Sequence, residues 1–116
     1  MITLETCLAI LDTVDQPLVF VDNEHVIRFL NKPAEKWYYG KRGFSDLIGK
    51  SLLDCHAPAS QDRIRELYRQ LQDGEQEVFV CVNDRNERLT MVAVRDGDGG
   101  LLGYYERYAQ SQGAGL

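Results

Sequence analysis

Cys55 and His56 stand side by side, and no other pair in the chain offers as much chemistry. A thiolate beside an imidazole is a candidate redox sensor, and either side chain can ligate a metal or a haem iron. Adjacent residues, however, seldom aim both donor atoms at one ion. His25 is the only other histidine, and it falls in turn chemistry where solvent exposure is expected. A ligand set cannot be completed from these residues. The plainer alternative is a loop with a buried Cys and a His bonded to the backbone, and both readings stay open. Cys7, Cys55 and Cys81 are odd in number, far apart and without a CxxC pair, which suggests reduced thiols.

Trp37, Tyr38 and Tyr39 can wall a cavity, since aromatic faces suit planar ligands. Three consecutive aromatics on a helix cannot all face inward, so some must be core or rim. Tyr104, Tyr105 and Tyr108 divide between the two faces of a strand. There is no Ser-His-Asp set, no phosphate-binding glycine loop and no HExxH. Asp22, Glu24, Asp54 and Asp84 sit where turns and helix caps use carboxylates. Catalysis is not expected.

The elements that must position these groups can be traced along the chain. Leu4, Cys7, Leu8, Leu11 and Val14 recur at three- and four-residue spacing, predicting an amphipathic helix over 3–14. Pro17 disfavours its continuation. Apolar runs at 18–21 and 26–30 flank Asp22-Asn23-Glu24 and predict a hairpin. Short helices are expected over 32–39 and 44–48, with Gly40 and Gly43 as breakers. Ser60 is the expected N-cap of a longer helix, with Ile64, Leu67, Tyr68 and Leu71 as its apolar stripe and Gly74 at its end. Strands are expected at 78–82, 89–94 and 101–108. The residues from 110 onward read as a polar, Gly-rich tail.

Both faces of these late strands are apolar: Val78, Val80 and Val82 against Phe79 and Cys81, then Leu89, Met91 and Ala93 against Val92 and Val94. A sheet with one wet face should alternate. The reading therefore requires a cover for the second face, either the opening helix or one from a second subunit.

Bulk properties set the bounds. A chain of 116 residues, 44% hydrophobic and 27% charged, fits one domain with one core. A net charge of −5 with scattered Lys and Arg argues against nucleic-acid binding. The N-terminus lacks a basic leader, and no apolar run approaches the roughly 20 residues of a membrane span. A cytoplasmic location is expected.

Five strands, helices inserted between the second and third, and a flanking amphipathic helix together resemble the PAS fold. The resemblance rests on Asn31 closing a strand, Ala34-Glu35 after it, and Ile48-Gly49 before the longer helix. The Asp96-Gly97-Asp98-Gly99-Gly100 turn with Leu102-Gly103-Tyr104 resembles the hairpin of the last two strands. Leu53-Asp54-Cys55-His56-Ala57-Pro58 is similar to a segment in a bacterial subgroup of PAS-type domains. The likeness covers about residues 11–108 and implies an α+β domain over 1–110 with a five-stranded antiparallel sheet, followed by a flexible tail at 111–116.

The resemblance implies signal handling. A small ligand or cofactor would sit between sheet and helices, and its state would pass through a dimer or a linked output, such as a histidine kinase or transcription regulator. The candidate pocket residues are Asn31, Trp37, Tyr38, Cys55, His56, Leu67, Tyr68 and Met91. Leu4, Leu8 and Leu11 are candidates for a homodimer contact. Oxygen-sensing relatives carry a haem-ligating His on the long helix. This chain has none there, so His56, just before it, is the candidate haem ligand. Light-sensing relatives carry Gly-x-Asn-Cys-Arg-Phe-Leu where this chain has Gly49-Lys50-Ser51-Leu52, which weighs against flavin. A ligand-free interaction module and a haem-, metal- or thiol-based redox sensor using Cys55 and His56 are the alternatives.

Overall fold

The computed structural model describes residues 1–110, and the tail expected at 111–116 lies outside them. β1 (Val19–Asp22) and β2 (Ile27–Leu30) form the first hairpin. Asp22 Oδ1 builds the turn by accepting from the amides of Glu24 at 2.9 Å and Val26 at 3.0 Å. β3 (Glu77–Val82), β4 (Glu87–Arg95) and β5 (Leu101–Gln110) follow the helical insertion. The sheet runs β2-β1-β5-β4-β3, and every pairing is antiparallel. This is the expected α+β architecture, with strand bounds within a few residues of those read from the pattern.

β1 and β5, distant in sequence, meet at Val21↔Tyr104 and Asp22↔Gly103. A Cβ at Gly103 would run into the Val21 carbonyl oxygen, and the Gly103 φ of +154° is a conformation L residues rarely adopt. Glycine therefore permits the close approach that joins the two halves of the sheet. The free edge of β2 is paired by the segment after Gly49: Ile27 N donates to Lys50 O at 2.9 Å and Gly49 N to Ile27 O at 2.7 Å. That pairing blunts an edge which would otherwise invite association.

α3 (Pro58–Gln72) buries Ile64, Leu67, Tyr68 and Leu71, the stripe expected from spacing. They pack into one core with Val78, Met91, Ala93 and Tyr104 of the sheet's inner face. The helix starts earlier than expected. Pro58 occupies its first turn after Ala57, and Ser60 lies inside rather than capping it. Proline has no amide to leave unsatisfied and its fixed φ suits a first turn, so it replaces a hydroxyl cap as the start signal.

The opening helix departs from expectation. α1 (Leu4–Leu11) is shorter than 3–14 and has no buried residue, with Leu4 74% and Ile10 53% exposed. It does not shield the outer face of the sheet as the pattern demanded. That face is instead closed partly by its own side chains. Val92 is buried outside the main core, flanked in register by Glu77 and Tyr105. Arg107 of β5 reaches across β4 to Glu77 of β3 with two hydrogen bonds, 2.8 and 3.1 Å. Long charged side chains cover apolar surface while keeping their heads wet. The pattern called for a cover, and part of it is supplied by a strap between strands rather than by a helix, while Phe79 and Cys81 stay exposed.

Candidate functional site

Between β2 and α3 the chain makes three short turns that roof the inner face of β1 and β5. α2 (Lys32–Glu35) runs directly into a π-helical turn, Lys36–Lys41, in which Arg42 N reaches back five residues to Trp37 O at 2.9 Å. The wider winding separates the three aromatics. Tyr38 enters a cavity, Tyr39 uses its hydroxyl to accept from Leu47 N at 3.2 Å, and Trp37 takes the Arg85 guanidinium over its ring at 4.7 Å. π-turns occur often at functional sites, and this one aims Tyr38. The irregular stretch after it, expected to be helical at 44–48, brings in Phe44 and Leu47. A 3₁₀ turn, Leu52–Cys55, then delivers Leu52, Cys55 and His56.

These residues enclose a cavity of about 160 Å³ against Val19, Val21 and Ile27 of the first hairpin and Tyr104, Glu106 and Tyr108 of β5. It is close in size to an apolar cavity that holds one benzene ring. Pockets for larger ligands span roughly 300–1,000 Å³. The residues do not fit a porphyrin or a three-ring flavin, so the reading of His56 as a haem ligand is not sustained by the space in front of it. Among the described residues no group of three His, Cys, Asp or Glu side chains is arranged to hold a metal ion.

Three of the eight expected pocket residues, Tyr38, Cys55 and His56, line the cavity. Cys55 is exposed and belongs to the rim. His56 Nδ1 donates to the Leu52 carbonyl at 2.9 Å, which fixes the ring orientation. Asn31 is fully buried, and its work is structural. Its Oδ1 accepts from Leu18 N and Ala34 N at 2.9 and 3.0 Å, while Nδ2 donates to Leu11 O and Gln16 O at 3.0 and 3.2 Å. Every donor and acceptor of that amide is used. Leu67, Tyr68 and Met91 fill the core under α3, and Trp37 lies outside the cavity. His25, expected in solvent, is half-buried, with Nδ1 hydrogen-bonded to the Tyr104 hydroxyl at 2.8 Å and its ring against Tyr68. Burial, helped by Arg65, holds its imidazole below the ordinary value.

Two of the residues not anticipated at the site bear most on its chemistry. Glu106 alternates with Tyr104 and Tyr108 on the inner face of β5 and so points a carboxyl at the cavity. Burial pushes that carboxyl upward, with His56 pulling part of the way back. Burial likewise raises Tyr104 and Tyr108, and Glu106 adds to both. The alternation of β5 was the available signal, but one Glu in a strand reads as a wet-face residue. Gln16 is the second. Its side chain donates to Tyr108 O at 3.1 Å and accepts from Tyr108 N at 2.7 Å, pairing β5 as a neighbouring strand would. Since Asn31 also holds Leu11 O and Gln16 O, the segment leaving α1 is fastened to the wall of the cavity.

A family model described as "PAS fold" matches residues 11–110. The chain is similar in structure to the C-terminal domain of a Streptococcus mutans protein, with a TM-score of 0.77 and 19% identity over 97% of this chain and 88% of that one. It is similar to the PAS domain of a Colwellia psychrerythraea protein, with a TM-score of 0.64 and 17% identity over 94% and 98%. It is also similar to a sensory box sensor histidine kinase from Vibrio cholerae, with a TM-score of 0.61 and 19% identity over 91% and 92%. At such identities the likeness speaks for the fold. No curated protein sequence matches the chain.

Proposed function

The chain belongs to the PAS family, and from that premise we propose that it is a sensory and regulatory module without catalytic activity of its own. A ring-sized ligand occupies the cavity between sheet and helices, and its presence is passed through α1 to a linked or separate output such as a histidine kinase or transcription regulator. The observation that carries this reading is the Gln16 clamp on Tyr108, because one residue of the cavity wall is also the anchor of the segment leading to α1. A ligand that shifts β5 by displacing Tyr108 must strain or release that clamp. Only a ligand with different affinity for the two clamp states changes their populations. Three unpaired thiols suit a reducing compartment, and no helix among the described residues is long and apolar enough to cross a membrane.

Native mass spectrometry of protein purified without denaturation tests ligand carriage. A small adduct present on the wild type and lost in Leu52→Trp, which fills the cavity, supports the reading. Absence of any adduct from the wild type favours a ligand-free interaction module. The apolar, unburied Leu4, Leu8 and Ile10 of α1 support a second element of the proposal, a homodimer formed through this helix. Light scattering on Leu4→Glu/Leu8→Glu decides it: a dimer that becomes monomeric is the expected result, and an unchanged mass refutes it.

A further inference from the structure

Glu106 is the residue that the ligand-pocket reading does not yet explain. Protein surrounds its carboxyl closely, and the residue lines the cavity. Among the described residues no side chain or backbone amide donates a hydrogen bond to it. Its titratable surroundings are His56 from the loop before α3, Cys55 at the rim, Tyr104 and Tyr108 on its own strand, Tyr38 and Arg42 from the π-turn, and Cys81 from β3. None neutralises it directly. The Arg42 guanidinium lies over Phe44 at 5.3 Å, and His56 commits Nδ1 to Leu52 O. The carboxyl keeps some accessible surface, and a carboxylate held mostly away from water is costly unless it is paired. Here aromatic rings flank the position where a partner would go, and ring faces attract cations.

Resting on the ligand-pocket reading, we propose that the cavity selects a small organic cation of single-ring size, a protonated amine or nitrogen heterocycle, whose N–H donates to the Glu106 carboxylate. The rings of Tyr38, Tyr104 and Tyr108 supply the apolar and cation-attracting walls, and about 160 Å³ limits the ligand to one ring. Such a cation binds the ionised Glu106, and burial raises that carboxyl, so affinity rises with pH across the range in which the empty protein still holds a proton there.

Three probes of matched shape test this: benzylammonium, benzyl alcohol and benzoate, each titrated into the wild type and into Glu106→Gln and followed by backbone amide NMR shifts. The expected ranking in the wild type places benzylammonium about tenfold or more tighter than benzyl alcohol, with benzoate weakest, since hydrogen bonds to charged groups contribute at least this much. Glu106→Gln abolishes the preference, bringing benzylammonium to the level of benzyl alcohol measured in the same variant. If the three probes bind alike, or benzoate binds best, the cavity reading survives and the cation proposal fails. If none shifts the amides of Val19, Leu52 and Tyr104, the ligand-pocket reading itself falls and takes the proposal with it. The wild-type ranking decides the matter even if Glu106→Gln does not fold.

Discussion

The hydroxyl of Tyr104 lies 2.8 Å from Nδ1 of His25, so a fully buried residue of the cavity wall is tied to the tip of the first hairpin. The same tip is held by Tyr68, whose hydroxyl donates to Asn23 Oδ1 at 2.8 Å, and by Asn23 Nδ2, which donates to Leu101 O at 2.7 Å. One hairpin turn thus gathers α3 and β5, which is why His25 is not the solvent residue its position suggests.

His25 gives the fold a pH dependence of definite sign. Its folded value is depressed below 6.5, mainly by burial, so the unfolded chain binds the proton more readily. Stability is then fully present above the unfolded value and is lost as pH falls from about 6.5 through the folded value. Urea midpoints between pH 5 and 7.5 should change with a more positive slope in the wild type than in His25→Asn, since the raised Glu106 carboxyl adds a slope of opposite sign to both proteins. An equal slope in both proteins contradicts this assignment.

Asn31 is expected to be among the most sensitive positions. Asn31→Ala leaves the amides of Leu18 and Ala34 and the Gln16 carbonyl without the partners they have here, while Leu11 O keeps only Val14 N, a loss on the order of 3 kcal/mol. Asn31→Asp turns a carboxylate toward the Leu11 and Gln16 carbonyls, so its folded value should rise and the variant should weaken further as pH increases. Chemical denaturation at two pH values measures both effects.

Gly103→Ala should break the junction between β1 and β5. The added methyl would overlap the Val21 carbonyl and meet Phe20, which only a backbone shift relieves. Destabilisation of roughly 3 kcal/mol or more is expected, with amide exchange rising at Val21 and Tyr104 first.

Leu71→Ala removes a side chain with no exposed surface from the α3 stripe, and a loss of about 3 kcal/mol is expected. Thermal or urea unfolding measures it directly.

How legible each part was depends on the range of the interaction that fixes it. The α3 stripe at Ile64, Leu67, Tyr68 and Leu71 repeats with the helical period, so sequence spacing alone placed it. The five apolar runs and the hairpin at Asp22 were legible from equally local patterns, whereas their joining into one antiparallel sheet was what the PAS resemblance implied. Glu106 and Gln16 were not, since their roles depend on which strand edge and which face the finished sheet presents. Gln16 acts on Tyr108, ninety-two residues away. The π-turn at Lys36–Lys41 has no distinguishing composition, so Tyr38 could be named as a pocket residue while Trp37 beside it was misplaced. The unshielded α1 exposes a different limit: apolar spacing marks a face to be covered without saying by what.

Hydrogen exchange reports most directly on the relay from cavity to N-terminus, using whichever of the three cavity probes binds. Saturation is expected to change protection at the Tyr108 amide and across residues 11–18 together with the cavity walls. Changes confined to the walls, with the Gln16 clamp and α1 unaffected, would contradict it.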